Sequence, residues 1–258
     1  GQLLMQIWVI RKTRVLTAVS PYLARSLQWL TRVPIEVIPN PIPVVQRSDF
    51  TTAYTDVNRL RIATVLNGWG TRKNAKAAMT AFAILRRSYP NSEMFMYGFD
   101  YEQGGPAQRW ANNNGIEDNI HFMGLVPHPK VQADLGTMSL LLHPALEESF
   151  GMALGEAMAL GVPVVAGRNS GGVSWVLDEG RAGFLTDVTD PDEIARTMLV
   201  CIHDKERRDV LREAALTRLI TLYSPPVIAQ RYEEMYKKVL SGRLATLFNS
   251  EVSRSSQN

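Results

Sequence analysis

From Leu60 to Leu185 the chain alternates short, almost wholly apolar runs with stretches patterned at helical spacing, and this alternation restricts the folds open to it. Leu60 to Leu66, Met94 to Tyr97, Ile120 to Met123, Ser139 to Leu142, Val162 to Ala166 and Gly183 to Leu185 read as strands. Between them lie helical segments. Asn74 to Arg87 carries Ala77, Ala78, Ala81, Phe82 and Leu85 on one side. Gln108 to Asn114 is short, Lys130 to Leu135 makes a turn or two, Phe150 to Leu160 closes at Gly161, and Ser174 to Leu177 is shorter still. Strands that are apolar along most of their length and bounded by helices need cover on both faces. The expected fold class is therefore α/β, a Rossmann-like parallel sheet with helices on both faces. In such sheets ligands bind beyond the carboxyl ends of the strands, so the loops after Leu66, Tyr97, Met123, Leu142 and Ala166 share one rim.

The flanks are organised differently. Val15 to Val19 is a short β-branched run ending at Ser20-Pro21, a helix-start signal, and Tyr22 to Leu30 reads as the helix. Ile35 to Ile38 is a short strand. Pro39 to Asn58 holds Pro39, Pro41 and Pro43 with little periodicity and reads as a linker. Beyond Leu185, helices are expected near 192–203, 205–220 and 225–240, before a polar, Ser-rich end that reads as disordered.

Composition narrows the function classes. The 258 residues are 45% hydrophobic and 21% charged, an ordinary globular balance. A formal net charge of +3 suits an anionic small ligand or an anionic membrane surface and is too small to argue for nucleic acid. With Cys201 as the single cysteine, no internal disulfide can form, and a reducing compartment is the expectation. No run approaches the roughly 20 apolar residues of a membrane-spanning helix. Leu3 to Ile10 is too short, and its basic residues Arg11 and Lys12 follow the run instead of preceding it, unlike a signal peptide. The chain starts at Gly1 within an amphipathic segment, as a piece without its N-terminal part would.

The densest chemical signal is His143-Pro144-Ala145-Leu146-Glu147-Glu148-Ser149-Phe150-Gly151, continuing through Glu156-Ala157-Met158-Ala159-Leu160-Gly161-Val162-Pro163-Val164-Val165. It follows an apolar strand and opens a helix. Backbone N–H groups at a helix start, with the positive dipole end, suit a diphosphate, and Gly151 allows close approach. On a continuous helix, Glu156 would lie near two turns beyond Ser149 on the same face, roughly 10 Å along the axis. A carboxylate is a good partner for two vicinal ribose hydroxyls. Two glutamates with seven residues between them also arise by chance as solvated side chains. Here Glu156 sits among Ala153, Leu154, Ala157, Met158 and Ala159, where a charge without a partner is costly.

A second patch, Asn67-Gly68-Trp69-Gly70-Thr71-Arg72-Lys73-Asn74, joins a strand to a helix. Its glycines allow tight turning and its basic pair can reach a diphosphate, although a solvated turn with a helix cap has the same composition. Gly98 ends a strand, and Leu125 and Val126 follow Gly124 on the rim; each has a packing explanation as well. Asp190-Pro191-Asp192 is better explained as a helix N-cap with Pro at the first helical position than as an Asp-x-Asp metal motif. The four histidines lack metal-ligand spacing.

Glu148 and Glu156, set in Pro-x-x-x-Glu-Ser-Phe-Gly and Glu-Ala-Met-Ala-x-Gly-x-Pro-Val-Val-Ala, resemble the Glu-x7-Glu signature of the retaining glycosyltransferases of family 4, which have the GT-B fold. The resemblance runs from about Val15 to Leu240. It includes Val19-Ser20, Ile38-Pro39-Asn40-Pro41, Phe122-Met123-Gly124 and Gly171-Gly172. The family usually has Gly-Arg shortly before Lys-Gly in the second patch. Here Lys73 matches the lysine, Asn74 stands for the glycine and Trp69 for the arginine.

The resemblance implies the C-terminal half of a GT-B fold. Residues 1–40 would end an N-terminal acceptor domain, 41–58 would link the domains, and 59–225 would bind the nucleotide-sugar donor. Residues 226–242 would form a helix crossing back, and 243–258 a disordered tail. The implied reaction moves a hexose-like sugar from a nucleoside diphosphate to an acceptor hydroxyl with retention, in glycan biosynthesis, without cofactor or metal. Glu148 and Lys73 would be catalytic. Gly68, Arg72, Lys73, Gly98, Val126, Glu148, Ser149, Phe150, Gly151, Leu154 and Glu156 would bind the donor. A glycan, lipid or small-molecule acceptor would be held by the missing N-terminal domain, so the piece alone would be inactive. The expected location is the cytoplasm, including the membrane face by peripheral contact. A sugar-nucleotide epimerase of the same fold and a non-catalytic nucleotide-binding module are the alternatives.

Overall fold

The computed structural model describes residues 2–44 and 59–255. The stretch 45–58 of the expected linker lies outside the described residues. Helix α1 (Gln2–Lys12) precedes a small βαβ unit, in which β1 (Leu16–Ala18) and β2 (Ile35–Val37) pair in parallel across α2 (Pro21–Gln28). Ser20 caps α2, its Oγ accepting from Leu23 N at 3.2 Å, with Pro21 opening the helix.

The larger unit is a six-stranded parallel sheet in the order β5-β4-β3-β6-β7-β8. Its strands are β3 (Arg61–Val65), β4 (Glu93–Tyr97), β5 (Ile120–Gly124), β6 (Leu140–His143), β7 (Val164–Gly167) and β8 (Phe184–Thr186). The intervening helices are α3 (Ala75–Arg86), α4 (Pro106–Asn113), α5 (His128–Leu135), α6 (Met152–Ala159) and α7 (Val173–Val176). Then come α8 (Pro191–His203), α9 (Lys205–Arg218) and α10 (Pro225–Ser255).

Alternation along each strand feeds two cores. Ile62, Met94, Met96, Leu140, Leu142 and Val165 face α3, α4 and α8, meeting Ala78, Met79, Phe82, Ile194 and Met198. Ala63, Tyr97, Leu141, Val164 and Ala166 face the other way, onto Leu135, Leu154, Ala157, Met158 and Ala215. This double cover is what the apolar strands demanded.

The topology positions the site. From β3 the chain steps outward to β4 and β5, then returns to the far side of β3 for β6, β7 and β8. β3 and β6 are therefore the neighbours between which the strand order reverses. A crevice opens at the carboxyl ends of such a pair.

Three differences from the sequence reading have physical causes. Residues 41–44, read as linker, are packed at Ile42. Ile42 N donates to Tyr223 O at 2.8 Å, and its buried side chain joins the second core against Gly155. Proline spacing hides this, because one apolar residue between prolines carries no periodicity. Second, α10 continues to Ser255, where a disordered tail from 243 was expected. Gly242 is a weak breaker, and Leu244, Ala245 and Leu247 behind it favour helix. Third, α6 starts at Met152 and not at Phe150, a shift with consequences for the site.

The Asp190-Pro191-Asp192 segment is a helix cap: Asp190 Oδ1 accepts from Asp192 N at 2.9 Å, and Pro191 is the first residue of α8. At the other end of the fold, α10 packs on the βαβ unit through Ile228 and Met235 against Ile38, and Arg231 Nη2 donates to Val37 O at 2.5 Å. Among the described residues no helix is long and apolar enough to cross a membrane.

Candidate functional site

A cleft of about 450 Å³, partly open to solvent, runs along the carboxyl edge of the sheet. At the β5 end it is lined by Gly124, Leu125, Val126 and His128, and in the middle by Tyr97, Gly98, Leu66 and Asn67. Lys73, His143 and Glu148 line the part between β3 and β6. Gly151, Met152, Ala153 and Glu156 form the wall contributed by α6.

The β3–α3 loop is tied down on two sides. Gly68 N donates to Phe99 O, Trp69 N to Asp100 Oδ2 at 2.9 Å, and the Tyr101 hydroxyl to Gly68 O at 2.9 Å. The Trp69 ring packs edge-on to Tyr101 and tilted against Trp110, away from the cleft. A short 3-10 turn, Thr71–Lys73, then points Lys73 inward. Asn74 follows in the left-handed region at φ 53°. Asn is among the few side chains that tolerate this, which explains how it replaces a glycine. Its amide also donates to Pro144 O and Val188 O.

Glu148 is held by the β7–α7 loop. Gly172 N donates to Glu148 O at 2.8 Å, and Glu148 bridges to Gly171. A Cβ at Gly171 would stand 2.5 Å from Glu148 O, and one at Gly172 would stand 2.2 Å from Ser149 O. The two glycines thus permit backbone contact and do not line the cleft. The Glu148 carboxylate receives Lys73 Nζ at 2.5 Å, and His143 Nε2 stands 3.7 Å away. Burial alone would raise its pKa. The nearby His143 ring and the Lys73 ammonium outweigh burial and bring it down to about 2. Glu156 makes a separate pair, its Oε1 lying 3.0 Å from His128 Nε2.

Of the residues singled out in the sequence, Lys73, Gly98, Val126, Glu148, Gly151 and Glu156 line the cleft. Gly98 sits there for a backbone reason: at φ 122° its Cβ would fall 1.6 Å from Leu66 O. Gly68 lies outside, in an open turn at φ 89°. Arg72 does not reach the cleft; its guanidinium is exposed, 3.8 Å from Glu147 Oε2. Ser149 is exposed beside the loop glycines. Phe150 and Leu154 are core: Phe150 packs edge-on to Tyr223 and Trp175, and Leu154 is fully buried. Any contact these two make with a ligand would be through backbone.

The expected common helix face for Ser149 and Glu156 is also corrected. Gly151, at φ 81° and ψ 77°, breaks the path, so Glu148 and Ser149 precede the helix. The two glutamates reach one cleft through that turn and not through helical spacing. Tyr97 and His128 were missed, and Asn67 was named in the second patch without a role. A single His before Pro129 has no local signal, and its partner Glu156 is 28 positions away.

Known proteins share part of this sequence and this fold. Residues 58–218 match the family described as glycosyl transferases group 1. The chain is 22% identical over 237 residues to the uncharacterised glycosyltransferase YqgM of Bacillus subtilis strain 168, covering 90% of this chain and 64% of that protein. It is 33% identical over 130 residues to N-acetyl-alpha-D-glucosaminyl L-malate synthase of Bacillus anthracis, covering 50% of this chain and 33% of that protein. The fold is shared with sucrose-phosphate synthase from Thermosynechococcus elongatus, at TM-score 0.77 and 19% identity, covering 93% of this chain and 62% of that one. It is also shared with Anabaena HepE in complex with UDP and glucose, at TM-score 0.75 and 20% identity, covering 92% and 68%. The chain spans less than two thirds of the curated relatives just named.

Proposed function

Because the chain belongs to the glycosyl transferases group 1 family, we propose that it supplies the donor site for retaining transfer of a hexose-like sugar from a nucleoside diphosphate to an acceptor hydroxyl. The finer assignment to family 4 belongs to the same proposal. The observation that carries it is the Lys73–Glu148 pair at the point of strand reversal, with Glu156 further along the same cleft.

In this reading the ribose is held by Glu156 toward the β5 end, where a carboxylate can accept from both vicinal hydroxyls. The diphosphate lies over Lys73 and the start of α6, and the sugar reaches Glu148. Lys73 and the helix start stabilise charge that grows on the leaving diphosphate in the transition state, which is where stabilisation accelerates a reaction. The diphosphate itself takes the proton of the incoming hydroxyl on the same face, giving retention without a protein nucleophile. No metal is assigned a part.

Residues 59–225 are proposed as the donor unit. Acceptor recognition and turnover are assigned to the whole protein, and the chain alone is expected to bind donor without transferring sugar. HepE, which shares the fold, is described in complex with UDP and glucose, and this supports a uridine nucleotide as the first probe. Calorimetry with UDP, GDP and ADP tests the assignment. Folded protein that binds none of them would remove it.

A further inference from the structure

His143 ends β6, and the residue is only 2% exposed. Neither Nδ1 nor Nε2 has a hydrogen-bond partner. The 3.7 Å from Nε2 to Glu148 Oε1 is beyond hydrogen-bond length, and that oxygen already receives Lys73. Buried polar atoms are nearly always paired, and each exception needs a reason. Thr64, Arg86, Ser92 and Ser170 also carry buried unpaired side-chain atoms, but none of them lines the cleft. His143 does.

Its place along the cleft indicates which part of a ligand it would meet. The strand order puts β5 at one edge and β6 three strands away, with β4 and β3 between them. Glu156 pairs with His128 beside the β5 end, whereas His143 lies with Glu148 at the β6 end. If a nucleotide lies with its ribose at Glu156 and its diphosphate over Lys73, the next group to reach His143 is the sugar.

We propose that His143 is a ligand of the donor sugar, its ring N–H donating to a sugar hydroxyl that in turn donates to Glu148. A hydroxyl oxygen about 2.8 Å from each group can bridge atoms 3.7 Å apart, and because both ring nitrogens are covered in the free protein, the side chains over them must shift to admit it. The inference rests on the donor-site reading, and it adds a residue that selects the sugar nucleotide over the bare diphosphate.

The test compares UDP with UDP-glucose, and GDP with GDP-mannose, by calorimetry on the wild type, His143→Leu and His143→Gln. For the nucleotide that binds, His143→Leu should weaken the sugar nucleotide about 5- to 20-fold and the bare diphosphate less than twofold, the effect of one or two hydrogen bonds. His143→Gln, which keeps an N–H donor, should recover part of the difference. Equal weakening of both ligands, or of neither, overturns the inference while leaving the donor site standing. A wild type that binds no probe removes the donor-site reading and the inference with it.

A second measurement needs no folded variant. The ring-nitrogen resonances of His143 in the wild type should shift on adding UDP-glucose or GDP-mannose beyond their shift with UDP or GDP. Identical positions in the sugar and bare complexes overturn the inference.

Discussion

Lys73 Nζ lies 2.5 Å from Glu148 Oε1 although the two are 75 positions apart, and the pair joins the loops after β3 and β6, the two strands between which the sheet order reverses. The cation is therefore already neutralised in the free protein. A diphosphate bound as proposed would have to share or displace Glu148 to use it, so the pair presets the charge of the cleft.

Lys73→Ala should weaken a nucleoside diphosphate relative to its nucleoside. A charge-assisted contact contributes roughly 1.5–3 kcal/mol, and competition from Glu148 should reduce the loss to about 1–2 kcal/mol. The loss should shrink at high salt through screening. Affinities of both ligands, measured at low and high salt for both proteins, check this. Equal weakening of nucleoside and diphosphate without salt dependence would show that Lys73 supports the loop.

Glu148→Gln should act in the opposite direction on binding. Removing the competing carboxylate frees Lys73, so diphosphate affinity should rise about 3- to 10-fold, the effect of one partly shielded charge. Transfer by the whole protein should fall. A drop in diphosphate affinity, from protein that still unfolds cooperatively, would contradict the arrangement.

Acid should reveal the same pair. The Glu148 carboxyl is depressed from 4.5 to about 2, so its ionised form favours the native state. That contribution is complete above about pH 4.5 and is lost as pH falls toward 2. It amounts to on the order of 3 kcal/mol at most. Urea unfolding from pH 6 to pH 2.5 should show the wild type losing stability more steeply than Glu148→Gln. Parallel curves would mean that Glu148 has no depressed pKa.

Glu156→Gln should weaken ribonucleotide binding by about 1–2 kcal/mol, because an amide keeps a hydrogen bond to ribose but loses its charge-assisted part. The corresponding 2′,3′-dideoxynucleotide should be indifferent to the change. Equal effects on both nucleotides would place Glu156 away from the ribose.

The contact between Ile42 and Gly155 can be examined from both sides. Ile42→Ala empties a fully buried site and should cost about 2–4 kcal/mol. Gly155→Ala would set a Cβ 2.7 Å from Ile42 Cδ1 and should cost about 1–3 kcal/mol. The double variant should be less destabilised than the sum of the two, since the cavity made by one accepts the methyl of the other. Strict additivity in denaturant unfolding would mean that the two do not pack together.

Much of this protein could be read from local pattern. The strands from Arg61 to Thr186, their burial on both faces, the cap at Ser20 and the cap at Asp190 all follow from residue spacing over a few positions, where sterics and backbone hydrogen bonding act. Motif spacing also singled out Lys73, Glu148 and Glu156, because each sits at a loop or helix next to a recognisable strand. Tertiary structure decided the rest. It set Arg72 against Glu147, turned Trp69 onto Tyr101 and Trp110, and sank Phe150 and Leu154 into the core. It also brought His128 to Glu156 and left His143 buried and unpaired beside Glu148. Those outcomes depend on strand order and on the turn at Gly151, which set distances between residues tens of positions apart. Periodicity along a chain carries no information about such distances.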